Sequence, residues 1–217
     1  NSHLESLKNI DGVFKVKSEI VKNIKKNGFL VVPNDNKKHL NKWKKMRSDI
    51  TTISFGMKDD SDFYPIDVKI KQNGLSFLVT SRLIEKPIKI SSSLEGVHNV
   101  KNILSACAVH YCLGQNLQDF SKSISLSKLD NLRQVKYKWL KGSTLIDDSY
   151  NANPDSTKKS IDLLSNYNKK TVLLLGDMLE LGRYKNKLHK EVGEYAKSKG
   201  INKFCLLYTS PSPRDAT

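Results

Sequence analysis

The run Leu145-Ile146-Asp147-Asp148-Ser149-Tyr150-Asn151-Ala152-Asn153-Pro154-Asp155-Ser156 sets two carboxylates, a phenol and two carboxamides between an apolar stretch and a proline. Leu145 and Ile146 suit the end of a buried strand, so Asp147 and Asp148 fall at its carboxyl edge, where open α/β sheets bind ligands. Asn153 reads as a helix N-cap and Pro154 as the first helical residue, which turns the N–H groups of the next turn toward that edge. An anionic ligand would sit well there. The other reading is a capped helix with two solvated aspartates, and capping chemistry alone does not separate the two.

Further residues could contribute. His98, Asn99 and Asn102 open an apolar-striped helix, where amides can pair with a purine edge and helix N–H groups can meet phosphate; they could equally be helix caps. Arg133 offers a fixed, always charged fork suited to phosphate, or an interdomain salt bridge. Asp177 and Glu180 follow a strand in a Gly-Asp turn that can be purely structural. His189 and the Lys185 to Lys190 face read as solvated. His3 lies fourteen positions before Lys17, too far for one helical face, so only a fold could bring them together.

These groups depend on α/β elements. Residues 11–26 read as helical, 28–33 as a buried strand, 36–46 as a basic helix and 50–55 as another strand. The stretches 66–70 and 75–79 flank Asn73-Gly74, a strong hairpin signal, which predicts a small antiparallel insertion. Val100, Ile103, Leu104, Cys107, Ala108 and Tyr111 fall on one helical stripe ended by Gly114, and a second helix is expected over 117–125. A boundary is expected near Asn131. Beyond it, 135–140 and 144–148 read as strands, 154–167 as a helix, 171–176 as a buried strand and 185–199 as a helix ended by Gly200. That βαβ alternation predicts a parallel sheet.

The 217 residues are 38% hydrophobic, enough for one large core or two small ones. No stretch approaches the roughly 20 apolar residues of a membrane span, and none resembles a secretory signal, so a cytoplasmic protein is expected. The three cysteines lack zinc-ligand spacing and are expected to be core thiols. A net charge of +15 invites a nucleic-acid reading, but all but five of the 37 basic residues are lysines spread along the chain. Readout of phosphates and bases leans on arginine forks and aromatic platforms. The densest patch, from Lys37 to Lys45, reads as a solvated helix face.

Asp147 to Ser156 resembles the signature that opens the C-terminal domain of the Mur ligases, in the branch that adds D-alanyl-D-alanine to UDP-N-acetylmuramoyl-tripeptide. Three more motifs follow the family's order. His3-Leu4-Glu5 with Lys17-Ser18-Glu19-Ile20 resembles its central-domain pair, although Ser18 stands where the family has Gly. Gly96-Val97-His98-Asn99-Val100-Lys101-Asn102 resembles its adenine-side motif, and Leu175-Gly176-Asp177-Met178-Leu179-Glu180-Leu181-Gly182 its later C-terminal motif.

The resemblance implies a partial central ATP-binding domain over 1–130, a parallel sheet with an antiparallel hairpin insertion, and the first half of a Rossmann-like C-terminal domain over 131–204. It implies an ATP- and magnesium-dependent amide-bond ligase that acts through an acyl phosphate, as a monomer, with neither nucleic acid nor membrane as partner. Asn99 and Asn102 would face adenine, with Arg133 and Asp148 near the same nucleotide. Tyr150, Asn151 and Asn153 would face the amino-acid substrates. His3 and a carbamylated Lys17 would hold magnesium: carbamylation turns an amine into the oxygen donor a hard cation wants.

The sequence has no initiating Met, and residue 1 already lies inside a motif, so it is expected to start mid-domain. Residues 205–217 resemble a translated sequencing-library adaptor and are expected to be non-native. A Gly-rich phosphate loop ending Gly-Lys-Thr or Gly-Lys-Ser is found nowhere in these residues, so the chain alone is expected to be inactive. A related ligase for another amino acid, and a non-catalytic α/β nucleotide-binding protein, are the alternatives.

Overall fold

The computed structural model describes residues 10–71, 74–127, 134–167 and 169–207. Contacts divide the chain into two compact units, Phe14–Lys128 and Asn1–Val13 with Leu129–Thr217. The architecture is α/β throughout.

In the first unit, β1 (Phe29–Pro33) and β2 (Thr51–Phe55) pair in parallel, with Val31 opposite Ile53 and Pro33 opposite Phe55. Strand alternation gives this pair two apolar faces. Leu30 and Val32 pack with Val21 and Leu40, the latter from α2 (Lys37–Met46), whereas Val31, Ile53 and Phe55 pack with Val100, Ile103, Leu104 and Cys107 of α3 (Val97–Cys112). Helices on both faces are what a parallel pair needs, because neither face can be left to water.

The helix expected over 11–26 is shorter. The α-helix α1 (Ile10–Ser18) gives way to a 3-10 turn, Glu19–Asn23. Arg47 supplies a reason: its Nη1 donates to Val21 O at 2.9 Å and Ile24 O at 2.6 Å, so those carbonyls end on a guanidinium and not on a further helical turn. α2 lies where expected, capped by Asn36, whose side chain accepts from His39 N. Its Lys42 Nζ sits 5.2 Å from the Phe14 ring centroid.

The insertion is larger than the hairpin expected. β3 (Tyr64–Lys71) and β4 (Gly74–Thr80) pair antiparallel, and β4 also pairs antiparallel with β5 (Ile88–Ser92). Asn73 of the turn lies outside the described residues. At Gly74, φ is +141° and an added Cβ would stand 2.3 Å from Ser92 O, so only glycine lets β4 approach the end of β5. The period-two signal of β5 is present in the sequence, where buried Ile88 and Ile90 alternate with polar residues. α4 (Leu117–Leu126) packs on β5.

The second unit departs from a simple βαβ order. β6 (Val135–Lys138) and β7 (Thr144–Asp147) form an antiparallel hairpin, closed where Trp139 N donates to Ser143 O at 2.8 Å. So short a connection permits only antiparallel pairing. α5 (Pro154–Ser165) follows, and parallel pairing is found between β8 (Val172–Gly176) and β9 (Lys203–Leu207), joined through α6 (Lys185–Ser198). Ile161, Leu175, Met178, Leu181, Leu188, Val192 and Ala196 form the core of this unit.

Two expectations need correction here. β8 is buried on one face only, since Val172 and Leu174 are 54% and 57% exposed. Cys107 is a core thiol, but Cys112 is half-buried and Cys205 is exposed on β9. Residues 208–217 of the expected tail lie outside the described residues.

Candidate functional site

At the start of α3, Gly96 has φ +84°, and a Cβ there would stand 2.7 Å from the His98 ring, so glycine allows both the turn and the ring's place beside it. Gly96 O accepts from Asn99 N at 3.1 Å. Asn99 is buried, and its Nδ2 donates to Glu95 O at 2.7 Å. Asn102 Nδ2 donates in turn to Asn99 Oδ1 at 3.0 Å. Asn102 itself is exposed, which leaves its Oδ1 and second N–H for another partner. A carboxamide offers the donor and acceptor pair that reads an adenine edge. Lys101 is ion-paired with Asp35, just after β1, so this helix start lies beside the carboxyl end of a parallel strand. Such edges bind ligands in open α/β sheets.

Asp62, which the sequence reading passed over, is buried at the neighbouring strand end. Its Oδ2 accepts from Ser54 N at 2.8 Å and Ser54 Oγ at 2.6 Å, and its Oδ1 accepts from Arg82 Nη2 at 2.7 Å. Burial is the largest single influence and would raise this carboxyl. The Ser54 hydrogen bonds and the Arg82 and Lys44 charges together outweigh it and hold Asp62 below the ordinary carboxylate value. A Ser in a strand and an Asp eight residues on carry no sequence signal of pairing.

In the second unit, the run after β7 folds as a turn into a capped helix. Asp147 Oδ1 accepts from Ser149 N at 3.1 Å. Asn153 makes a full capping box: its Oδ1 accepts from Asp155 N and Ser156 N, and its own N donates to Ser156 Oγ at 3.1 Å. Asp148 accepts a hydrogen bond at Oδ2 from Ser160 Oγ. Tyr150 is 62% exposed and Asn151 is exposed, so their side chains are presented to solvent.

The later motif is tied to the same helix. Thr157 Oγ1 lies 3.7 Å from the sulfur of fully buried Met178. Lys185 and Lys190 are exposed, as the solvated face expected of them requires, but His189 is not: its side chain is 16% exposed. Met178 N donates to His189 Nε2 at 3.1 Å, which makes Nε2 an acceptor and gives the ring proton to Nδ1, 2.9 Å from Lys185 O. Lys185 Nζ donates to Asp177 Oδ2 at 3.0 Å. An i, i+4 pair on α6 therefore clamps the Gly176-Asp177-Met178 turn.

Residues 1–110 match the family model described as the Mur ligase middle domain, and residues 133–217 match the Mur ligase, glutamate ligase domain. The chain belongs to the Mur ligase family. The UDP-N-acetylmuramoyl-tripeptide–D-alanyl-D-alanine ligase of Haemophilus influenzae is 32% identical over 204 residues, which cover 94% of this chain and 43% of that protein. The ligase of that name from Bacillus subtilis is 33% identical over 195 residues, covering 88% and 40%. Among solved structures, MurF from Acinetobacter baumannii superposes with a TM-score of 0.85 at 24% identity, over 94% of this chain and 44% of that one. MurF ligase from Thermotoga maritima in complex with ADP gives 0.81 at 21% identity, over 99% and 47%. The chain thus spans less than half the length of the curated relatives it matches.

The Mur ligase motifs differ in what the structure describes. Asn99 and Asn102 are brought together, as are Asp148 and Asn153 through α5. His3 and Arg133 lie outside the described residues. Lys17 is exposed on α1. Among the described residues no three His, Cys, Asp or Glu side chains converge as metal ligands, and an uncarbamylated lysine is itself a cation. No helix among the described residues is long and apolar enough to cross a membrane.

Proposed function

We propose that this chain is part of the ATP-dependent ligase that joins D-alanyl-D-alanine to UDP-N-acetylmuramoyl-tripeptide. The observation that carries the reading is the Asp147 to Ser156 run, which matches that branch and folds as a strand end, an exposed Tyr150-Asn151 turn and a capped helix. The names of the relatives support the same branch.

In this reading ATP transfers its γ-phosphoryl group to the terminal carboxylate of the tripeptide, giving an acyl phosphate and ADP. The dipeptide amine then attacks the acyl carbon, loses a proton, and expels inorganic phosphate as the amide forms. ATP supplies the activated phosphoryl group; the chain's residues bind and orient. Asn102 pairs with the base, held by Asn99. Asp148 lies near the same nucleotide, and Arg133 reaches its phosphates or ribose. Tyr150, Asn151 and the Asn153 cap face the amino substrates. His3 and carbamylated Lys17 are the proposed magnesium ligands.

The test is phosphate release by the protein expressed from its native locus, with ATP, UDP-N-acetylmuramoyl-tripeptide and D-alanyl-D-alanine. Release that needs all three, and that falls at least about tenfold in Asp148→Ala, is expected. Release supported equally by L-alanine and UDP-N-acetylmuramate would move the chain to another branch.

A further inference from the structure

Ser160 occupies the interior of α5, two turns past the Asn153 cap, where alanine would favour the helix more. Its hydroxyl is turned back to the acidic run, hydrogen-bonded to Asp148 Oδ2 across twelve residues of sequence. Ser156 O lies 3.2 Å from the same Oγ. Ser156 in turn is joined to Asn153 in both directions, through Ser156 N to Asn153 Oδ1 at 3.0 Å and Asn153 N to Ser156 Oγ at 3.1 Å. Asp148 is thus joined to Ser160, and Ser156 to Asn153, on the first two turns of α5.

A hydroxyl has one proton to give. Bonded to Asp148, it commits one carboxylate oxygen and restricts the rotation of the other, which is then presented to a ligand in a fixed direction. An aspartate just past a strand end would otherwise sample several rotamers, and ordering it on binding would weaken affinity.

We infer that Ser160 is a positioning residue for nucleotide binding: it pre-orients the Asp148 carboxylate by holding it to α5, the helix that Asn153 caps. This rests on the ligase reading above.

The experiment measures KM for ATP, kcat and thermal midpoint for Ser160→Ala, Ser160→Thr and Asp148→Ala in the protein expressed from its native locus. The expected result is a rise of about five- to tenfold in the ATP KM of Ser160→Ala, the size of one ordinary net hydrogen bond because Ser160 acts through Asp148, with kcat within about twofold. Ser160→Thr keeps a hydroxyl and should restore KM. A merely structural role would lower the thermal midpoint or the active fraction and leave KM unchanged. KM unchanged in Ser160→Ala but raised in Asp148→Ala overturns the role of Ser160 and leaves the ligase reading intact. KM unchanged in both variants, or no ATP-dependent turnover by the unsubstituted protein, overturns both.

Discussion

Asn102 donates its side-chain amide to the Oδ1 of Asn99 at 3.0 Å, and Asn99 is itself fastened to Glu95 O. Two asparagines that look equivalent in the sequence thus have different standing: one is buried and used up in holding the turn, and the other is exposed.

Their substitution should separate accordingly. Asn99→Ala removes a buried carboxamide with two internal partners and should cost about 1–3 kcal/mol of stability, read by chemical denaturation. Asn102→Ala should change stability by less than about 0.5 kcal/mol while weakening ADP binding about tenfold in calorimetry. Equal stability losses in the two variants would contradict this division.

Asp62 makes stability depend on pH at the acid end. Its folded-state value lies below the ordinary 3.8, so its contribution is fully present above about that pH and is lost as pH falls through the lower folded value. Between pH 6 and 4.5 the midpoint of denaturation should not move on account of this group. Asp62→Asn should remove part of the acid-end slope and, by leaving Ser54 donors poorly matched, cost about 1–3 kcal/mol at neutral pH. An unchanged slope below pH 4 would show that other carboxylates govern acid unfolding.

The three thiols should react in order of exposure. Burial pushes Cys107 up to about 12, so at pH 8 only about one molecule in ten thousand carries its thiolate, and the side chain is closed to reagent as well. Exposed Cys205 should label first with a thiol-specific reagent, half-buried Cys112 more slowly, and Cys107 only with denaturant. Mass spectrometry of labelled peptides distinguishes them, and rapid labelling of Cys107 in native buffer would contradict the packing of α3.

His189→Ala takes the acceptor from the N–H of Met178, whose side chain is fully buried. The loss should be about 1–3 kcal/mol, with faster hydrogen exchange at the Met178 amide. His189→Gln, which can still accept, should recover part of it. Unchanged exchange at that amide would place the turn's anchoring elsewhere, in Lys185 and Asp177.

The sequence by itself determined the elements and the motifs. Period-two and helical spacing located β1, β2, α3 and α6 within a few residues, because each buries a stripe that composition must encode. The Asn153-Pro154 cap was equally legible, since capping is chemistry between neighbours. Tertiary structure decided what distant residues do to one another. Arg47 ends the helix begun at Ile10, Ser54 and Arg82 enclose Asp62, His189 holds Met178, and Ser160 holds Asp148. Each joins residues eight or more positions apart, or turns a side chain off the helix stripe its spacing suggests. Periodicity records which face is apolar; it does not record which polar group on another element completes a hydrogen bond. Nor does it fix strand order: β7 sits just before a helix, as a βαβ strand would, but the short Trp139–Ser143 closure turns it antiparallel onto β6.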